Sequence, residues 1–125
     1  MKDIISATNA PAALGPYSHA VAIEGIVFTS GQLGIDPATG KLAEGVAAQA
    51  EQALKNLEAV LAAGGASMAD VVKTTVFVKD LADFGTVNAI YGQHFGKDFP
   101  ARSCVQVAVA DVIYKKIPEI LGIQP

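Results

Sequence analysis

The chain has 125 residues, of which 51% are hydrophobic and only 17% charged, and its formal net charge is −3. This length fits one domain. An acidic chain lacks the basic surface that neutralises phosphates, which argues against a nucleic-acid partner. A small domain leaves much apolar surface uncovered when it folds alone, so the composition predicts a homo-oligomer.

The sequence gives no indication of membrane insertion or secretion. No apolar run approaches the roughly 20 residues that cross a bilayer, and Asp3 interrupts the segment where a signal peptide is apolar. Cys104 is the single cysteine, so no intramolecular disulfide can form, which is typical of a reducing compartment. These features predict a cytoplasmic protein without a membrane partner.

The first third of the chain predicts β-strands. Residues 21–24 and 26–29 flank Gly25, a pattern typical of a hairpin with a tight turn. Further on, Pro37 and Gly40 predict another turn, because proline restricts φ and glycine accepts a positive φ.

The apolar period changes from two to about 3.6 between Val46 and Leu61, which predicts an amphipathic helix. Polar residues, including Gln49 and Asn56, are expected on its other faces. Gly64 and Gly65 predict the end of this helix, since glycine adopts the left-handed conformation without a Cβ penalty.

A strand, a helix and a strand are predicted next. Residues 71–79 are rich in Val, Thr and Phe, as in a buried strand. Asp80 is expected to cap a second helix that runs to Phe95. Residues 102–107 predict a strand in which alternate side chains share a face.

The predicted fold is a single α+β domain over residues 1–125. Two helices would cover one face of a mixed sheet, and the other face would bind copies of the same chain. The tail from Ala108 leaves strand and helix open as alternatives, because Pro118 interrupts either element.

Arg102 is the strongest candidate for chemistry. It begins an otherwise apolar strand, where a guanidinium can point into a pocket or an interface. Its planar fork binds a carboxylate in two places, and such a charge-assisted contact contributes roughly 1.5–3 kcal/mol. The alternative from position alone is an ordinary surface or interface ion pair.

The other candidates are weaker, and each also has a plain structural explanation. Cys104 shares the predicted face of Arg102, but no histidine lies near it in sequence, so its backbone rather than its thiol is expected to line a pocket. The remaining candidates offer a phenol, a hydroxyl, a bare amide and a side-chain amide; they are Tyr17, Ser30, Gly31 and Asn88. Two histidines and one cysteine give no metal site, and no phosphate loop occurs, so no cofactor or metal is expected.

Five segments of the sequence form a set: Gly15-Pro16-Tyr17-Ser18, residues 28–32, residues 76–84, residues 88–91 and residues 100–107. Taken together, they resemble the Rid family of reactive intermediate deaminases, also called the YjgF family. The match runs in order over about residues 3–108. Its most specific parts, taken together, are Ser30-Gly31-Gln32 and Pro100-Ala101-Arg102-Ser103.

This resemblance implies a chorismate-mutase-like fold and a homotrimer with a central β-barrel and pockets between subunits. It also implies hydrolysis of 2-imino acids, such as 2-iminobutanoate and 2-iminopropanoate, to 2-keto acids and ammonia without a cofactor. Arg102 would bind the substrate carboxylate. The site would be shaped by Tyr17, Ser30, Gly31, Asn88 and the Cys104 backbone.

The sequence departs from the family pattern after Ala108, because the usual Leu-Pro turn is absent. If the turn holds two extra residues, Glu119 aligns with the family's water-activating glutamate. Without them Ile117 takes that position and the carboxylate is missing. Pro118 weakens the first alignment, since proline cannot donate to a strand ladder.

Alternatives to an enzyme follow from the same residues. A non-catalytic module could keep the Arg102 pocket to bind or sense a small carboxylate such as a 2-keto acid. Relatives also suggest a ribonuclease or translation inhibitor, which the acidic charge opposes. A chaperone-like role would use the apolar, weakly charged surface.

Overall fold

The structure is a computed structural model, and it describes residues 1–108. Five strands and two α-helices follow in the order β1, β2, β3, α1, β4, α2, β5. Their bounds are Asp3–Ile5, Ala20–Ile23, Ile26–Thr29, Val46–Ala63, Lys73–Val78, Phe84–Phe95 and Ala101–Gln106. The predicted α+β class is confirmed. No helix within these residues is long and apolar enough to cross a membrane.

The first three strands form an antiparallel sheet, here called the amino-terminal sheet, in the order β1-β2-β3. Glu24 and Gly25 connect β2 to β3 with φ values of 49° and 79°. Two successive positive φ values are typical of the type I′ turn, whose twist matches that of the flanking strands. The predicted hairpin around Gly25 is therefore confirmed.

Helix α1 ends as the two glycines predict. Gly65 has a φ of 79°, and its N–H donates to the Ala62 carbonyl at 3.0 Å. The Ala66 N–H donates back to the Leu61 carbonyl at 2.9 Å. These two bonds form a Schellman motif, which satisfies carbonyls that the helix end would otherwise leave free.

The polar side chains of α1 depart from the prediction, because Gln49 and Asn56 are buried rather than on an outer face. The Asn56 amide donates to the carbonyls of Leu33 and Ile35 at 2.9 and 2.8 Å. This face of α1 is polar because it packs closely against a loop whose carbonyls bind the Asn56 amide. Hydrophobic periodicity assigns polar residues to exposed faces, so it could not predict their burial here. The same loop approaches so closely that a Cβ on Gly34 would lie 2.5 Å from the Gln49 carbonyl oxygen.

Strands β4 and β5 pair in parallel, with α2 as the crossover between them. We call β4, α2 and β5 the crossover unit. Asp80 does not cap α2 directly: its carboxylate accepts the Ala82 N–H, and a 3₁₀ turn at Leu81–Asp83 precedes the helix. The capping chemistry is as predicted, but the α-helix begins one short turn later.

Helix α1 packs on both groups of strands. Val60, near its end, lies in a core cluster with Ala7, Ala10 and Ala20. Ala50, near its start, lies in a second cluster with residues of β4 and α2. The opposite faces of the strands expose apolar side chains, namely Ile23, Ile26, Phe28, Phe77 and Val105.

Candidate active site

The crossover unit sets the position of Arg102. Because β5 pairs in register with β4, Arg102 lies opposite Thr74, and Cys104 lies opposite Val76. Alternation along a strand turns these side chains to the same face. That face packs against α2, so the Arg102 side chain is half-buried beneath the helix.

Three residues of α2 contact the guanidinium. The Asn88 side-chain oxygen accepts a hydrogen bond from the Arg102 Nη1 at 2.7 Å. The guanidinium carbon lies 5.3 Å from the centre of the Phe84 ring and 4.8 Å from that of Tyr91. The three residues are spaced by four and three positions, which places them on one face of a helix. Both rings lie within the range of favourable cation–π attraction.

The Tyr91 ring is itself held in place. Its hydroxyl shares a hydrogen bond of 2.6 Å with the Thr74 hydroxyl, and the residue is buried. Thr74 is the strand partner of Arg102. The β4–β5 pair therefore positions both the guanidinium and the Tyr91 ring that it contacts.

Arg102 has no carboxylate partner within residues 1–108. The ion pairs in this part of the chain both involve Glu51, which contacts Lys55 at 3.8 Å and His94 at 3.0 Å. An amide such as that of Asn88 orients a guanidinium but does not neutralise it. The positive charge of Arg102 is therefore free to attract an anion.

A cavity of about 380 Å³ adjoins the guanidinium. Arg102 and Asn88 supply its polar groups. The other lining residues are mainly apolar: Tyr91, Gly92, Phe99 and Pro100. A cavity with a cation at one side and apolar walls elsewhere suits a small carboxylic acid with a short carbon chain.

Cys104, whose backbone was expected to shape the site, is not among the residues that line this cavity. Its side chain is half-buried and packs on a core cluster of Ala50, Val78 and Val87. This environment matches the small-hydrophobe role of a free cysteine. Within the described residues, the Cys104 sulfur therefore acts as a small hydrophobic group in the packing of the domain.

The candidates on the amino-terminal side lie apart from the Arg102 cavity. None of Tyr17, Ser30 and Gly31 is among the residues that line it. The Ser30 hydroxyl donates to the Ser18 carbonyl at 2.6 Å, and the Leu14 N–H donates to the Tyr17 hydroxyl at 3.4 Å. One chain thus brings Arg102 and Asn88 together but does not join them to the other three residues.

His19 is a buried polar residue beside this second group. Its Nδ1 accepts the Ala7 N–H at 2.8 Å, and its Nε2 lies 2.8 Å from the Pro11 carbonyl oxygen, to which it donates. This pair of bonds requires the neutral imidazole with the proton on Nε2. His19 therefore ties the segment after β1 to the start of β2.

His94 and Glu51 link the two helices on the surface of the domain. The hydrogen bond from His94 holds the pKa of the Glu51 carboxyl below its ordinary value of 4.5, and Lys55 adds to the effect. This pair lies outside the cavity lining. It is best explained as a structural contact between α1 and α2.

Some residues that surround Arg102 or line the cavity were not among the sequence candidates. Phe84 and Tyr91 read as an apolar helical stripe, and Phe99 read as a loop residue. For Phe84 and Tyr91, which lie on α2, the spacing relative to Asn88 carries the information, but only once the position of Arg102 under α2 is known. Glu119 lies outside the described residues. Within residues 1–108, no group of three or more His, Cys, Asp or Glu side chains could hold a metal ion.

Comparison with curated proteins finds close relatives. The chain is 54% identical over 111 residues to a 2-iminobutanoate/2-iminopropanoate deaminase of Salmonella typhimurium, covering 86% of this chain and 87% of the relative. It is 50% identical over 109 residues to the human protein of that name, covering 86% and 80% of the two chains.

Solved structures give the same picture. RidA from the Antarctic bacterium Psychrobacter aligns with a TM-score of 0.84 at 45% identity, covering 87% of this chain and 89% of that one. Escherichia coli TdcF with bound serine aligns with a TM-score of 0.83 at 44% identity, covering 87% and 88%. A family model described as "Endoribonuclease L-PSP" matches residues 7–117. With most of its length matched in sequence and in structure, this chain belongs to the Rid (YjgF) family.

Proposed function

We propose that this protein is a 2-iminobutanoate/2-iminopropanoate deaminase, a single-domain enzyme that hydrolyses reactive imines to 2-keto acids and ammonia. One observation carries the proposal: the half-buried Arg102 has no carboxylate partner within residues 1–108, and it adjoins a cavity suited to a small acid. The relatives named as deaminases, at 54% and 50% identity, support this activity.

Arg102 would bind the substrate carboxylate. Asn88 occupies one nitrogen of the guanidinium, and the rings of Phe84 and Tyr91 restrict its tilt. A fork held in this way has donors left for a bidentate contact with the carboxylate. The contact would set the orientation of the adjacent imine carbon, and fixed orientation lowers the barrier to attack by water.

The reaction needs no covalent enzyme intermediate. Water adds to the electrophilic imine carbon, and a proton from that water passes to the nitrogen. The proton that remains on the added hydroxyl then also passes to the nitrogen, the carbon–nitrogen bond breaks, ammonia leaves, and the carbonyl of the 2-keto acid forms. A carboxylate or polar group relays the protons. We assign this role to Glu119 and Tyr17.

We propose a homotrimer whose subunits complete each other's sites. The exposed sheet faces carry apolar side chains such as Phe28, which is 61% exposed, and Val105, which is 41% exposed. Burying them between copies would be favourable. Tyr17, Ser30 and Gly31 would then approach the Arg102 cavity of a neighbouring subunit, and the Cys104 backbone would help to shape the completed site. The single cysteine fits a cytoplasmic enzyme.

The proposal is tested by coupling the protein to a pyridoxal-phosphate dehydratase that releases the imine from threonine or serine. Wild type should accelerate release of the 2-keto acid, and Arg102→Ala should abolish the acceleration. Lys97→Ala, a change at an exposed cation close in sequence, should leave it intact. Glu119→Gln tests the tail: activity retained by this variant would reject the assignment of Glu119.

Two results would overturn the proposal. If wild type binds 2-ketobutyrate but does not accelerate imine hydrolysis, the chain is a carboxylate-binding module. If it cleaves RNA and Arg102→Ala does so equally, the chain is a ribonuclease, the activity that the family description "Endoribonuclease L-PSP" names. The net charge of −3 counts against that second result.

A further inference from the structure

Gly92 lies in the wall of the Arg102 cavity, within helix α2. Glycine is among the poorest helix formers, because it loses the most backbone freedom on folding. The presence of Gly92 inside α2 therefore needs a physical explanation.

The fold itself does not require glycine at this position. Gly92 has no positive φ, and a Cβ placed on it would meet no atom within 4 Å. Gly34 differs, because an added Cβ there would collide with the backbone of Gln49. Alanine at position 92 would fit the backbone and favour the helix.

The space that a side chain at position 92 would fill belongs to the cavity. Side chains on a helix lean toward its start, so residue 92 lies over residue 88, one turn earlier. Asn88 is the residue whose oxygen holds the Arg102 guanidinium at 2.7 Å. A side chain at position 92 would therefore extend into the cavity beside the anion-binding groups, where Phe99 and Pro100 also form part of the lining.

We infer that Gly92 determines how long a carbon chain the substrate can have. With the carboxylate on Arg102, the chain attached to the imine carbon points toward the apolar walls. The absent side chain of Gly92 leaves room there for chains longer than those of 2-iminobutanoate. This inference rests on the proposed function for its substrate class, but the cavity geometry also predicts the binding of unreactive 2-keto acids.

The experiment compares Gly92→Leu with Gly85→Leu. Gly85 is a matched control, since it lies in the same helix, has no positive φ, and also meets nothing within 4 Å of an added Cβ. It is exposed and does not line the cavity. Calorimetry would give the Kd of 2-ketobutyrate and of 2-ketohexanoate for wild type and both variants.

Gly92→Leu should weaken 2-ketohexanoate at least tenfold more than 2-ketobutyrate, while Gly85→Leu should change the ratio less than twofold. Discrimination of roughly tenfold is ordinary when a pocket loses room for one or two carbon atoms. Gly92→Ala should give a smaller change in the same direction. The kcat/KM ratio for 2-iminohexanoate and 2-iminobutanoate, generated by an amino acid oxidase with catalase, should follow the Kd ratio.

The two proposals fail in different ways. An unchanged ligand ratio in Gly92→Leu, in a variant that still binds 2-ketobutyrate, overturns the role of Gly92 and leaves the deaminase intact. Absence of imine hydrolysis by wild type, together with a shifted Kd ratio, overturns the deaminase and keeps the role of Gly92. If Gly92→Leu does not fold, the Gly92→Ala ratio decides, because alanine is compatible with the helix.

Discussion

The amino-terminal sheet and the crossover unit satisfy their polar groups in opposite ways. Beside the sheet, Ser30 and His19 bind backbone groups of their own chain, and His19 uses both ring nitrogens in doing so. In the crossover unit, Arg102 contacts an amide and two rings, and within residues 1–108 it has no carboxylate partner. The first arrangement stabilises the fold, and the second leaves a charge available. Stability and binding should therefore respond to different substitutions.

The largest effect is expected from Arg102→Lys. An ammonium is a point charge that cannot reproduce the bidentate contact, so kcat/KM for imine hydrolysis should fall about 100-fold, or about 2.7 kcal/mol of transition-state stabilisation. The melting temperature should change little, because the guanidinium makes no buried ion pair within the described residues. Kinetics and a thermal scan on one preparation test both parts. A lysine variant with full activity would show that charge alone is sufficient.

His19→Ala should give the opposite pattern. It removes the partners of the Ala7 N–H and the Pro11 carbonyl, so unfolding should become easier by about 2 kcal/mol. A domain of this size would then melt roughly 5–10 °C lower. At a temperature where the variant remains folded, its kcat/KM should exceed that of Arg102→Lys. An unchanged melting temperature would contradict the structural role of His19.

Asn88→Asp tests whether the free charge matters. The new carboxylate would take the place of the amide and form an ion pair with Arg102. It would then compete with the ligand carboxylate for the guanidinium. The Kd of 2-ketobutyrate should rise about tenfold, near 1.4 kcal/mol. Asn88→Ala, which removes the hydrogen bond without adding charge, should weaken binding less. Equal losses in the two variants would mean that orientation, not charge, is what Asn88 provides.

The smallest effect concerns Glu51. Because its folded-state pKa is lowered, the stabilisation is complete above the ordinary value of 4.5 and is lost as pH falls through the lower folded value. Glu51→Gln should therefore melt about 1 °C below wild type near pH 6, and the difference should vanish at acidic pH. Glu58→Gln, on an exposed position of α1, is the control. A difference that grows on acidification would refute this assignment.

The sequence predicts the secondary structure and the faces of its strands better than it predicts which polar side chains are buried. Alternation placed Arg102 and Cys104 on one face, and the glycines ended α1 where the structure ends it. Asn56 was misplaced, because a loop distant in sequence supplies its partners. The rings around Arg102 could not be assigned either, since helical spacing does not say which side chain lies beneath the helix. For Asn56 and for these rings, the surroundings of the side chain depend on residues that are distant in the sequence.

The parallel pairing of β4 with β5 also dictates an order of assembly. Parallel strands cannot be joined by a tight hairpin, so α2 must cross over before β5 can dock. Arg102 lies on β5, the last strand within residues 1–108, while its stacking partners lie on the helix that precedes it. A nascent chain emerging from the ribosome would thus complete its anion-binding group only after β5 has been synthesised. Ligand binding during refolding should report completed tertiary structure rather than early collapse.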